Sequence, residues 1–121
     1  MDSQETESFA RRLMREVWEA FDVEAVPRFY NRDVVGHHRA QILNFEDILN
    51  RLAWDQKHNA SPIFDIKDIV AAENRFAIRF EYTAREGEAE QDFHAEVIYF
   101  YHLRENKISE FWLLSDHDFG L

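Results

Sequence analysis

Apolar residues in the first part of the chain recur every three or four positions: Phe9, Leu13, Val17, Ala20 and Phe21 fall on one side of a helix. Asp2, with Glu5 three residues on, supplies a capping box, and the spacing predicts a helix running to about Phe21. Asp22 opens a shorter helix in "VEAVPRFY", which Pro27 limits to one or two turns by weakening its ladder. After Asn31 the β-branched run "DVVGHH" predicts a short strand. Asn44 then caps "FEDILNRLAWDQKHN", with Asp47 at the third helical position and a stripe of Phe45, Ile48, Leu49, Leu52 and Ala53. This helix is expected to stop near Asn59, ahead of Pro62.

From Pro62 onward the period drops to two. "IFDIKDIVAA", "RFAIRFEYTA", "DFHAEVIYFYHL" and "KISEFWLLSDHDF" read as four strands, separated by "EN", "REGEAEQ" and "REN". Helices followed by a meander make an α+β layout in a single domain, with the helices on one face of the sheet. In the third of these strands Phe93, Ala95, Val97, Tyr99 and Tyr101 share one face, the better candidate for burial. With Glu105 and Asn106 as a two-residue hairpin turn, Arg104 pairs with Lys107. An unbroken register from there sets Tyr101 opposite Glu110, Tyr99 opposite Trp112, Val97 opposite Leu114 and Ala95 opposite Asp116. Glu110, Trp112 and Asp116 are therefore expected on the aromatic face, alongside Phe76, Ile78, Phe80 and Tyr82.

Composition narrows the function classes. The 121 residues carry a net charge of −10, which repels nucleic acid and anionic lipid, so neither is expected as a partner. Aromatic residues make up 15%, enough to fill a core or to line a pocket for a flat apolar ligand. The absence of cysteine removes disulfides, thiol nucleophiles and Cys-based zinc sites. "MDSQETES" does not read as a signal peptide, and "VIYFYHL" and "FWLL" are too short to span a bilayer, so a cytoplasmic protein is expected. No cofactor or metal is expected either, since no tight ligand spacing such as H-E-x-x-H occurs.

The ending "KISEFWLLSD" matches K-I-x-E-x-W-x-x-x-D through Lys107, Ile108, Glu110, Trp112 and Asp116. "AENRFAIRFEYTA" looks like a G-D-x-V-A-V-R-W strand pair, with Arg79 on the arginine. Together with "DVVGHH" and the order of elements, these residues resemble the SnoaL-like branch of the nuclear transport factor 2-like superfamily over nearly the whole chain. Asn44 and Asn106 stand where that pattern usually has glycine. The resemblance implies a cone, or α+β roll, in which N-terminal helices pack in a curved, mostly antiparallel sheet with a pocket inside. Its relatives include polyketide cyclases, ketosteroid isomerase, limonene epoxide hydrolase and proteins without catalysis.

Asp116 is the leading candidate acid/base. Desolvation among Trp112, Tyr99 and Leu114 is expected to raise its pKa, and the resemblance implies an aspartate of this strand moving a proton next to a carbonyl. The alternative is a strand-end Asp that caps or bridges. A pocket histidine would assist: the resemblance favours His37, while a count from Asp33 against ketosteroid isomerase favours His38. Adjacent strand residues face opposite ways, so only one of the two enters the cone without a bulge at Gly36.

Tyr99, Tyr101, Trp112, Glu110 and Trp54 are the candidate ligand-binding residues, Trp54 at the cone mouth, whereas Asp55 and His58 are expected at the surface. Arg79 and Glu81 read as a surface ion pair. His94, Glu96, His102 and His117, interleaved with Ile98, Phe100, Phe111 and Leu113, read as the outer sheet face and a homodimer interface. The expected function is a cofactor-independent cyclase or isomerase doing proton transfer on a small hydrophobic carbonyl compound. The alternative is a non-catalytic module of the same fold that binds a small hydrophobic or aromatic ligand or mediates dimerisation.

Overall fold

In the computed structural model, residues 1–86 and 91–116 are described, so His117 and the expected run of the last strand to Phe119 lie outside the described residues, as does the side chain of Phe93. Asp2 accepts the Glu5 backbone N–H at 2.8 Å and Glu5 accepts that of Asp2 at 3.2 Å, which starts α1 (Ser3–Leu13) where the capping box sets it. The α-helix does not reach Phe21. Met14–Trp18 form a π turn, closed by the Glu19 N–H on the Met14 carbonyl at 2.8 Å. Its extra residue turns Trp18 toward the core and leaves Ala20 exposed. Asp22 caps a 3-10 turn (Val23–Ala25) that passes into α2 (Val26–Phe29), where Pro27 sits in the first turn and its missing N–H is not needed.

β1 (Tyr30–His38) and the short β2 (Gln41–Leu43) precede α3 (Phe45–His58), which carries a second capping box between Asn44 and Asp47. Then come β3 (Asn59–Ala72), β4 (Arg75–Glu86), β5 (Gln91–Arg104) and β6 (Lys107–Ser115). They form one sheet ordered β2-β1-β6-β5-β4-β3, antiparallel throughout except where β1 runs parallel to β6. β3 starts earlier than Pro62 suggested because it is an edge strand, and its pairing breaks between Ala60 and Ile63, where a proline is tolerated. No helix among the described residues is long and apolar enough to cross a membrane.

The inner face holds Phe76, Ile78, Phe80 and Tyr82 from β4 and Ala95, Val97, Tyr99 and Tyr101 from β5, as the alternation predicted. They pack on Phe9, Leu13, Met14, Val17, Phe29 and Leu52 of the helices. β6 departs from the prediction. Glu105 and Asn106 do make the hairpin turn, both with positive φ, and Arg104 does pair with Lys107. One pair later Leu103 meets Ile108, but His102 meets Glu110, so Ser109 is an extra, bulged residue. The bulge turns Phe111 and Leu113 inward with Ile108 and sends Glu110, Trp112 and Asp116 to the outer face. Burial favours this outcome, because the unbroken register would have put the carboxylates of Glu110 and Asp116 inside and the large apolar side chains of Phe111 and Leu113 outside.

β1 reaches β6 through Gly36, which pairs with Phe111, and a Cβ on Gly36 would stand 2.2 Å from Phe111 Cζ, a clash with the tip of that ring. That ring is fenced by Tyr30, Tyr99 and Tyr101 at centroid distances of 6.3, 5.9 and 5.9 Å. Gly36→Ala is therefore expected to lose about 1–3 kcal/mol in urea unfolding, and adding Phe111→Leu to restore most of it. Wild-type stability in the single variant would show that Phe111 has room to yield.

Candidate functional site

The last two turns of α3 build a polar cluster on the side that faces the sheet. Phe45, Ile48, Leu52 and Asp55 form the buried stripe of this helix, so Asp55 occupies a position that an apolar residue would normally fill. It is 6% exposed. Arg51, one turn earlier, grips it with two bonds: Nε to Oδ2 at 3.1 Å and Nη2 to Oδ1 at 3.0 Å. Asn59, one turn later, donates from Nδ2 to Asp55 Oδ1 at 3.1 Å and also to the Tyr82 hydroxyl at 2.9 Å. Burial raises the pKa of Asp55, and the Arg51 guanidinium only partly opposes it. Burial, and then the charge of Asp55, push the Tyr82 phenol up to about 12.

This cluster is the polar end of a pocket. Its walls are Trp18, Phe64, Phe80 and Tyr99, backed by Val97 and Leu113, and the space within is about 40 Å³. That is room for on the order of three waters. Trp18, Phe64 and Tyr99 are each only partly buried, and Phe64 lies on β3 between its two breaks in pairing, so the wall on that side is the least fixed.

Each residue expected at the site has a definite place. Tyr99 faces the pocket and Tyr101 lies behind it, both inward as expected, and burial drives both phenols upward in pKa. Asp116 is exposed on the outer face, where its Oδ1 accepts the Glu96 backbone N–H at 2.9 Å, so it clamps a strand end. His37 also faces outward, because β1 aligns it with Trp112. It stacks on that ring at 5.1 Å and donates from Nε2 to Glu110 at 2.7 Å. His38 is the inward member of the pair, 2% exposed, with Nδ1 at 3.3 Å from the Leu113 carbonyl. Glu110 and Trp112 accompany His37 outside, with His102 and Phe100 against Trp112 at 5.0 and 5.9 Å.

Trp54 does not line the pocket: it is 41% exposed and stacks on His58 at 4.5 Å. Asp55, expected at the surface, is the one carboxylate buried among the described residues. Arg79 pairs with Asp68 at 2.8 Å rather than with Glu81, which lies near Lys67 and His94. No cluster of three or more metal-binding side chains occurs among the described residues.

Comparison with known proteins agrees with this architecture. AclR of Streptomyces galilaeus, a candidate hydroxylase, superposes with a TM-score of 0.83 at 17% identity, over 93% of this chain and 79% of its own. TsrD of Streptomyces laurentii gives 0.82 at 10%, over 96% and 91%. IdmH of Streptomyces antibioticus, a candidate polyketide cyclase, gives 0.77 at 17%, over 92% and 91%. Curated protein sequences yield no match. The sequence profile of SnoaL-like polyketide cyclases, however, matches residues 8–117, and the chain belongs to that family.

Proposed function

We propose that this protein is a cofactor-independent cyclase or isomerase that moves a proton on a small hydrophobic carbonyl compound, with Asp55 as acid/base in place of Asp116. The observation that carries this reading is a buried carboxylate of raised pKa at the polar end of an aromatic pocket. The geometry leaves it one working position. Asp55 Oδ1 accepts from both Arg51 and Asn59, whereas among the described residues Oδ2 accepts only from Arg51, so one lone pair on Oδ2 remains for a substrate proton. Asp55 takes the proton from the carbon next to the carbonyl, and the C–H electron pair moves into the enolate. The enolate then regains that proton from Asp55 at another carbon, or its carbon attacks a second carbonyl and closes a ring, and the resulting alkoxide takes the proton from Asp55. Family membership supports the chemistry, and Arg51 keeps the carboxylate fixed in orientation.

The second reading is a module that binds such a compound without converting it, favoured by the three hydrogen bonds that already hold Asp55. One experiment separates them. With 2-tetralone in D2O, proton transfer predicts loss of the α-proton NMR signals faster than in buffer alone. Quenching of Trp fluorescence by the ketone with no acceleration of exchange would leave binding alone.

The same proposal includes a second copy as partner. Val35, Ile98, Phe100 and Leu114 are exposed beside His37, Trp112 and His102 on the outer face of β1, β6 and β5. Two chains of charge −10 repel except where acids are sparse, and this patch carries few, whereas the outer face of β3 and β4 is laced with ion pairs. Light scattering is expected to give twice the chain mass, and Leu114→Lys to halve it. A monomeric wild type would dismiss the interface.

A further inference from the structure

The pocket in its closed form is too small for the compound proposed for it. Ligand pockets run to about 300–1,000 Å³, against about 40 Å³ here. A ketone of two fused rings therefore enters only if a wall moves. Most of the walls stand on fixed ground: Phe80 and Tyr82 on β4, Val97 and Tyr99 on β5 and Leu113 on β6 belong to strands paired on both sides. Phe64 does not, because β3 is the edge of the sheet and pairs, among the described residues, with β4 alone.

The register of β3 singles out the stretch that carries Phe64. Ala60 meets Arg85 and Ile63 meets Thr83, so Ser61 and Pro62 stand opposite the single residue Ala84. Ile66 meets Phe80 and Asp68 meets Arg79, so Lys67 is a second extra residue. Ile63–Ile66 is thus a ladder of four pairs with spare chain at each end. Ser61 has a φ of 51°, and Pro62 has no N–H to give to the ladder. Such slack lets four pairs part from β4 while the pairs beyond them stay closed. Past the second bulge the strand is held more firmly, since Ile69 and Ala71 pack on the core and lie against Ser3, Gln4 and Glu7 of α1. Phe64 itself meets Phe21 edge-on at 6.5 Å, and Phe21 takes a φ of 49° to reach it, which strains a phenylalanine. On the outer side Lys67 reaches Asp65 at 2.7 Å and Glu81 at 3.8 Å, exposed pairs that add little.

We propose that Ile63–Ile66 is the door of the pocket: its four pairs part from β4 between the two bulges, Phe64 swings out with them, and a flat ketone of two rings enters through the edge of the sheet. This rests on the reading of the pocket given above. When the door closes, Phe64 returns toward Phe80 and Tyr82, whose ring centroids lie 5.6 and 4.7 Å from its own in the closed form. Phe64 thereby sets the size of ligand that passes. Entry then runs at the rate of opening, below that of diffusion.

The first test needs no ligand. The β4 amides bonded into Ile63–Ile66 are expected to exchange in D2O at least about tenfold faster than those bonded into Ile69–Ala72. The chain has no cysteine, so Asp65→Cys with Glu81→Cys, at paired positions outside the pocket, gives a single disulfide that pins the ladder once diamide oxidises it. Oxidation should bring the fast amides to the slow rate. It should also slow the quenching of Trp fluorescence by 2-tetralone in stopped flow by at least about tenfold, and dithiothreitol should restore both. Phe64→Ala needs no crosslink, and in it the quenching rate should rise about tenfold. Equal exchange along β3 overturns the door whatever the ketone does. Quenching as fast in the oxidised protein as in the reduced one, or no faster in Phe64→Ala than in the wild type, overturns it as well. Fast exchange that oxidation suppresses, in a protein whose fluorescence 2-tetralone leaves unchanged, keeps the door and removes the ketone from the pocket.

Discussion

The Asp55→Asn variant is expected to exchange the α protons of 2-tetralone about 10²–10⁴-fold more slowly than the wild type, the range that one positioned general base contributes. The substitution keeps the shape of the side chain and one oxygen for Arg51, but an amide does not take up the proton. The dependence on pH makes the prediction sharper. Asp55 acts as a base only when ionised, and burial raises its pKa above the ordinary 3.8, so the wild-type rate should climb with pH through that raised value and then level. The Asn variant should lack this limb. Initial rates by NMR between acid and neutral pH, with circular dichroism to confirm the fold, decide the matter. A variant that keeps both the rate and the limb would move the chemistry to another residue.

Arg51→Met is expected to cost about 3–5 kcal/mol at neutral pH, because it leaves the Asp55 carboxylate buried without its cation. The loss is a large share of the roughly 5–15 kcal/mol that a domain of this size has. It should also depend on pH in a fixed direction. Without Arg51 the pKa of Asp55 rises further, so the native state holds a proton that the unfolded chain releases, and stability falls as pH rises through the window between the two values. The variant should recover in acid relative to the wild type. Adding Asp55→Leu should restore most of the loss at neutral pH, since no charge is then buried. Urea unfolding of the three proteins at two pH values is the measurement. A single variant as stable as the wild type would mean that Asp55 is solvated.

The fold was legible because its signals are local. Both capping boxes, the hairpin turn at Glu105 and Asn106, and the alternation in β4 and β5 each depend on a few neighbouring residues, and all appear in the structure. The site was legible only in part. Tyr99 and Tyr101 came from alternation and face inward, but Asp116, Glu110 and Trp112 depended on an unbroken register, which Ser109 interrupts, and His37 rested on the resemblance, whereas β1 aligns it with the outward Trp112. The signal for that bulge was in "ISEFWL": Ile108, Phe111 and Leu113 reach one face only if a residue between the first two is skipped. Asp55 was missed for the opposite reason. Its polar neighbours in "WDQKH" suggested surface, although its spacing from Ile48 and Leu52 placed it on the buried stripe. The bond from Asn59 to Tyr82 that ties its cluster to the sheet joins residues 23 apart, beyond the reach of periodicity.

Ser109 therefore acts on β6 as an inserted letter acts on a reading frame. Two chains could share every residue of K-I-x-E-x-W-x-x-x-D and still present opposite chemistry to the cone, if one carried the bulge and the other did not. Drawing Ser109 into the ladder opposite His102 would carry Glu110, Trp112 and Asp116 to the inside as a block and expel Phe111 and Leu113, whereas deleting it would leave Glu110 opposite His102. In a sheet of this kind, whether one residue bulges or pairs can exchange the whole inventory of a pocket wall while leaving its motif intact.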